Sequence, residues 1–199
     1  MSPAGAGLIR TGALALIVGP SGAGKDTLIA AARSALGPDD RFVYARRLVT
    51  RATQDPSEDH DIMTPAAFAA ARAEGRFLLS WEAHGLGYGI PMSMADALGR
   101  ARVVVANVSR TVIVAAEQAV ERVVVFHVTA PVPVLAARIA ARGREPMAEI
   151  AARLARQAPL VAGRAEVIEI VNDGEVETAA ARLTAELRRL ADETAVTAR

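Results

Sequence analysis

The run Ala13-Leu14-Ala15-Leu16-Ile17-Val18 leads without a break into Gly19-Pro20-Ser21-Gly22-Ala23-Gly24-Lys25-Asp26-Thr27. Short, apolar and partly β-branched, the first part reads as a buried strand. An amphipathic segment follows the glycines, Asp26–Leu36, with Leu28, Ala32, Ala35 and Leu36 on one stripe before Gly37-Pro38 ends it. Between strand and helix, the loop fits the first seven positions of the phosphate-binding pattern G-x-x-x-x-G-K-[ST]. Glycines let the backbone curl so that successive N–H groups face a phosphate, and the helix N-terminus adds positive potential. Lys25 then reaches the transferring phosphate and offsets the charge that develops on it. Residues Gly19 through Thr27 are therefore the expected nucleotide-phosphate cradle.

Composition sharpens the reading of Lys25. Of 23 basic residues it is the single lysine, the other 22 being arginines. A chain that uses arginine almost everywhere keeps its one slim point charge in the loop whose geometry favours it. The eighth position departs from the pattern. Asp26 stands where a serine or threonine hydroxyl normally meets Mg²⁺, and Thr27 follows. A carboxylate is also a hard oxygen ligand and holds Mg²⁺ directly or through water. The alternative is that Asp26 only caps the helix while Thr27 serves the phosphates.

Outward from the loop, apolar β-branched runs alternate with amphipathic ones. Expected strands are Leu14–Val18, Phe42–Leu48, Phe77–Trp81, Val103–Val108, Val123–Val128 and Val167–Val171. Expected helices are Asp26–Leu36, Pro65–Glu74, Met92–Arg100, Thr111–Val120, Pro133–Arg142, Met147–Leu160 and Glu175–Glu193. Near-continuous apolar strands suit a sheet buried on both faces and hence parallel, which gives an α/β fold with helices flanking the sheet. Residues 46–90 break the alternation with a polar loop and a Gly-rich turn, His84-Gly-Leu-Gly-Tyr-Gly89, and read as an insert. The nucleotide-binding core is then 1–45 and 91–199.

Bulk properties exclude several classes. The chain has 199 residues, 52% hydrophobic and 23% charged, enough for a substantial core. A net charge of +1 gives no electrostatic case for nucleic acid or an acidic membrane surface as partner. The absence of cysteine removes disulfides and thiolate metal sites and points to the cytoplasm. Ala13–Val18 is too short to span a bilayer and precedes a glycine loop rather than a signal cleavage site.

Two arginine clusters fit phosphoryl transfer. Arg46, Arg47 and Arg51 enter a polar loop with Glu58, Asp59 and His60; Arg138, Arg142, Arg144, Arg153 and Arg156 surround Gly143. Arg142-Gly143-Arg144 reads as a hinge for an arginine lid at about 142–158 that closes over two phosphate-bearing substrates. Taken singly, each arginine reads as well as part of a solvated helix face, such as Arg153 paired with Glu149. His127, on an apolar strand, is expected in the core. His60 and His84 are candidates to touch the acceptor, or to serve the surface or hydrogen bonding instead.

These pieces together resemble the guanylate kinase superfamily over nearly the whole chain. The matching segments are GPSGAGKDT (19–27), LVTR (48–51), FLLSWEAHGLGYGIP (77–91), ARIAARGRE with ARLARQ (137–145, 152–157) and IVND (170–173). The resemblance implies a core, an acceptor-binding insert and a lid. It places Arg51 on the acceptor phosphate, Arg142 and Arg153 acting from the lid, and Asn172 near the adenine of ATP. Departures from that family are equally specific. The second arginine of T-R-x-P-R is absent after Thr50-Arg51, Glu58-Asp59-His60-Asp61 stands in a loop that carries a tyrosine, and Asn107 replaces a guanine-reading carboxylate. Guanine N–H groups left without an acceptor cost about 1–3 kcal/mol each, so GMP is disfavoured.

GKD, T-R, E-x-H and N-x-S-R together resemble the branch of the superfamily that phosphorylates a sugar bisphosphate. That implies transfer of the γ-phosphoryl of ATP, with Mg²⁺, to the 1-phosphate of ribose 1,5-bisphosphate, giving ADP and 5-phosphoribosyl 1-diphosphate. The acceptor would lie among Arg47, Arg51, Glu58, His60, His84, Asn107, Ser109 and Arg110. Asn107 would not repel the 5-phosphate, and Ser109 and Arg110 would donate to it. Alternatively, Ser109 caps the next helix and Arg110 is solvated. The rival functions are a guanylate or other nucleoside monophosphate kinase and a catalytically silent interaction module; intact Lys25 and the lid arginines argue against the latter.

Overall fold

A computed structural model describes residues 7–51, 60–141 and 160–197. Its centre is a five-stranded parallel sheet in the order β2-β7-β1-β8-β9. The strands are β1 Ala13–Val18, β2 Phe42–Tyr44, β7 Val103–Asn107, β8 Val123–Thr129 and β9 Glu166–Val171. In β1 every residue is fully buried, and successive side chains go to opposite faces. Ala13, Ala15 and Ile17 join a core covered by helices α1 Lys25–Leu36, α5 Val132–Ala140 and α6 Val176–Thr197. Leu14, Leu16 and Val18 face the other way, against α3 Met94–Gly99, α4 Ile113–Ala119 and a second sheet.

That second sheet has four strands in the order β4-β3-β6-β5: β3 Arg47–Val49, β4 His60–Ile62, β5 Phe77–Ala83 and β6 Leu86–Pro91. Helix α2, Pro65–Ala73, packs on it through Phe68 and Ala71. Thr64 caps α2, its hydroxyl accepting from the Ala67 amide at 3.2 Å, with Pro65 at the first helical position.

Two expectations need correction. The single strand Phe42–Leu48 is two strands in two sheets: β2 pairs with β7 in the main sheet, and β3 pairs with β4 and β6 in the second. Apolar pattern alone does not show that the chain leaves one sheet at Ala45-Arg46. The Gly-rich turn is mostly strand β6, and only His84-Gly85 turns. Both residues have positive φ, 53° and 72°, as a tight two-residue hairpin requires. Gly87 and Gly89 are small for a packing reason, since a Cβ on either would collide with the rings of Phe68 and Phe77. Strand β4 is additional to the expected elements, and the expected helix 147–160 falls almost wholly outside the described residues. Among the described residues, no helix is long and apolar enough to cross a membrane.

Candidate active site

The glycine loop leaves the C-terminal edge of the main sheet between β1 and α1, where open parallel sheets bind ligands. Its shape depends on two backbone conformations. Gly19 sits at φ 149° so close to β8 that a Cβ would strike the Val128 carbonyl. Gly24 heads α1 at φ 86°, and a Cβ there would lie 2.5 Å from Asn172 Nδ2. Lys25 Nζ donates to the carbonyls of Gly19 and Pro20, at 2.9 Å each, so its ammonium lies over the loop. Ser21, Asp26 and Thr27 are exposed.

Asn172 belongs to this loop. Its side chain is buried at the end of β9, and Nδ2 donates to the Ala23 carbonyl at 2.8 Å. Its backbone is held from two sides: the amide donates to Thr129 O at 2.7 Å, and Arg138 Nη1 donates to its carbonyl at 2.8 Å. Arg138, read in the sequence as part of the lid cluster, is thus a brace from α5 to the β9 end. The other side-chain atom, Asn172 Oδ1, is a buried acceptor with no hydrogen-bond partner among the described residues.

On the other side of the loop, Asp26 meets two groups from distant elements. Asn107 Nδ2, at the last residue of β7, donates to Asp26 Oδ1 at 2.6 Å. Arg47 Nη2, from the first residue of β3, lies 3.6 Å from the same oxygen, and the Arg47 side chain is only 11% exposed. Three residues singled out separately in the sequence, Asp26 for metal and Asn107 and Arg47 for the acceptor, therefore form one cluster. Sequence signals for the pairing existed, an unusual acid in the loop and an unusual amide on the strand. Only the fold shows that they touch.

Just beyond β7, Ser109 does what its capping alternative predicted: its Oγ accepts from the Thr111 amide at 3.3 Å and the Thr111 hydroxyl at 3.0 Å, capping the short helix Arg110–Val112. Arg110 is half-buried, and burial lowers its pKa from the ordinary value. His127 is near enough to feel it. Burial first, then the Arg110 charge, lowers the His127 pKa, while Glu169, its register partner on β9, acts the other way. His127 is accordingly a half-buried neighbour of the site rather than the plain core residue expected.

The acceptor candidates of the second sheet separate. Thr50 and Gly87 exchange contacts, Thr50 N to Gly87 O at 2.9 Å and Gly87 N to Thr50 Oγ1 at 2.8 Å, which fixes the backbone leading to Arg51. The LVTR and GLGYG segments are thereby joined. His60 is fully buried on β4, and its carbonyl accepts from Arg46 Nη2 at 3.3 Å. His84 is exposed at the hairpin tip, where the turn accounts for its conformation. Glu58, Arg142 and Arg153 lie outside the described residues. No group of three or more metal-ligating side chains occurs among the described residues.

No model of a known protein family matches the chain. Among solved structures it is similar to guanylate kinase from Anaplasma phagocytophilum, with a TM-score of 0.61, 18% identity, and coverage of 90% of this chain and 86% of that one. At that identity the likeness concerns the fold. Curated relatives are much nearer in sequence. Ribose 1,5-bisphosphate phosphokinase PhnN of Methylobacterium radiotolerans is 51% identical over 177 residues, 89% of this chain and 98% of the relative. The protein of the same name from Brucella melitensis is 48% identical over 83% of this chain and 86% of its own length. A bifunctional ribose 1,5-bisphosphokinase-thymidine phosphorylase of Cupriavidus pinatubonensis is 46% identical over 90% of this chain but only 30% of its own length. With half the residues identical along nearly the full length of such a relative, and a phosphate loop complete from Gly19 to Lys25, the chain belongs to the ribose 1,5-bisphosphate phosphokinase family.

Proposed function

We propose that this chain transfers the γ-phosphoryl of ATP to the 1-phosphate of ribose 1,5-bisphosphate, releasing ADP and 5-phosphoribosyl 1-diphosphate. The observation that carries the reading is the pairing of a formed phosphate loop with relatives of that name at 51% identity. An oxygen of the 1-phosphate attacks the γ-phosphorus, and the bond from that phosphorus to the β–γ bridging oxygen breaks, leaving ADP. The nucleophile is already ionised near neutral pH, so no general base is required, and catalysis rests on positioning and charge neutralisation.

Lys25 supplies charge at the β- and γ-phosphates, and the loop amides from Gly19 to Thr27 cradle them. Asn172 Oδ1, a buried acceptor beside the loop with no partner among the described residues, suits the exocyclic amine of adenine. Arg51 takes the acceptor phosphate, and Arg142 and Arg153 close from the lid. The second sheet, 46–90 in outline, carries the acceptor, with Arg110 near the 5-phosphate. Mg²⁺ accompanies ATP. Asp26 fits it chemically, as an exposed hard carboxylate beside the loop, and the ion would neutralise phosphate charge there. Such a reaction on two soluble phosphorylated metabolites places the protein in the cytoplasm.

The experiment is a coupled assay of ADP release with ribose 1,5-bisphosphate, with GMP and with no acceptor. Turnover that depends on ribose 1,5-bisphosphate is expected. Preference for GMP would make the chain a nucleoside monophosphate kinase, and release independent of acceptor would make it an ATPase.

A further inference from the structure

We infer that Asn107 is a positioning residue of the transfer site: with Arg47 it holds one oxygen of Asp26, so that the other faces the cation travelling with ATP. The inference rests on the proposed place of Mg²⁺ beside Asp26 and adds how that carboxylate is aimed. Both contacts fall on the same atom. Asn107 Nδ2 is 2.6 Å from Asp26 Oδ1 and Arg47 Nη2 is 3.6 Å from it. The first is short for an N–H···O bond, as expected when the acceptor is ionised.

The donor is fixed and the acceptor is not. Asn107 is buried, in parallel register with Ile17 of β1, and the next residue is pinned by Val108 N to Ile17 O at 3.1 Å. Asp26 has a side chain 47% exposed in the first turn of α1. A rigid amide at the sheet edge therefore selects the rotamer of a free carboxylate, as partners behind metal ligands commonly do.

The pairing also makes one feature of two departures. In the resemblance drawn above, a hydroxyl stands at the loop's eighth position and a carboxylate on the strand; here the carboxylate is in the loop and the strand has the amide. A carboxylate at both positions would put two negative groups within hydrogen-bond distance, which is unfavourable unless a cation or proton lies between them. Asp26 therefore requires a neutral donor at 107. Arg47 adds a link, because it begins the second sheet, so the aim of Asp26 depends on both sheets.

Mn²⁺ binding, read by electron paramagnetic resonance with a non-hydrolysable ATP analogue, tests the assignment alongside thermal unfolding. D26N should weaken Mn²⁺ binding, and N107A should weaken it about 10-fold. N107D, nearly isosteric, should instead bind Mn²⁺ without nucleotide at least about 10-fold more tightly than wild type, since two adjacent carboxylates then share the ion. If D26N weakens Mn²⁺ binding but N107A leaves it within about twofold, the positioning role is overturned and the metal reading stands. If D26N changes nothing, the metal reading falls and takes the inference with it. If N107A does not fold, N107D decides, because failure to gain free Mn²⁺ binding would show that positions 26 and 107 do not face one another.

Discussion

The sole lysine of the chain lies with Nζ 2.9 Å from two carbonyls of the loop it closes. Both hydrogen bonds stay within the loop, and Lys25→Ala should lower kcat by about 10²–10³ in a protein that still folds. Turnover within about threefold of wild type would remove Lys25 from the transition state. His127 was harder to read, because nothing along the chain shows that Arg110 approaches it. Its folded pKa lies below the ordinary histidine value through burial and the Arg110 charge, against a smaller opposing pull from Glu169. The unfolded chain therefore takes up the proton first as pH falls, and this contribution to stability, full above about pH 6.5, is lost on acidification. His127→Asn should flatten the fall in urea midpoint between about pH 7.5 and 5.5 relative to wild type. Parallel curves would show that His127 does not contribute to it.

At the level of elements, the strands and helices with a long apolar period were legible, while those defined by partners were not. Helix α1 ends at Leu36, where the stripe and Gly37 placed it. Strand β4 is three residues long and owes its form to β3, and the glycine-bearing β6 is held between β5 and β3, which its own pattern does not show. The return into β9 is another case decided by a distant partner. Glu117, buried near the end of α4, accepts from the Gly163 amide at 3.0 Å and the Ala165 amide at 2.8 Å. Between them Arg164 donates to the carbonyls of Glu117, Glu121 and Val120, where the orphan acceptors of a helix end lie. One carboxylate and one guanidinium thus clasp residues 163–165 onto α4. Glu117→Ala leaves both amides without their charged acceptor and should cost roughly 3 kcal/mol in urea unfolding, with Glu117→Gln, which keeps one oxygen, losing less. Equal loss in both variants would mean that the charge of the carboxylate, not the packing of the side chain or one retained oxygen, fixes the return.

Across the whole molecule, the alternation in β1 determines how many folding units there are. A strand apolar on both faces predicts cover on both faces, and that much was legible from Ala13–Val18. What covers the second face was not, because most of it is built from residues sixty or more positions away in sequence. Leu78, Leu79, Trp81 and Ile90 of the second sheet share a core with Leu14, Leu16 and Val18 of the central strand. The second sheet therefore has only a small core of its own, around Phe68, Ala71 and Phe77. If its larger apolar surface is buried only against the main sheet, it has no reason to melt alone or to survive the loss of that sheet. Trp81 makes this measurable. As the one tryptophan, buried and stacked on Tyr88 with ring centroids 5.3 Å apart, it reports fluorescence from the second sheet alone. Far-UV circular dichroism is dominated by the helices, including α1, α5 and α6 on the far side of the main sheet. The two signals should give one urea midpoint and one slope, as a single cooperative unit requires. A fluorescence transition at distinctly lower urea would mean that the second sheet detaches before the main sheet and its helices unfold, and that the core shared by Trp81 and Leu16 contributes little to holding the two sheets together.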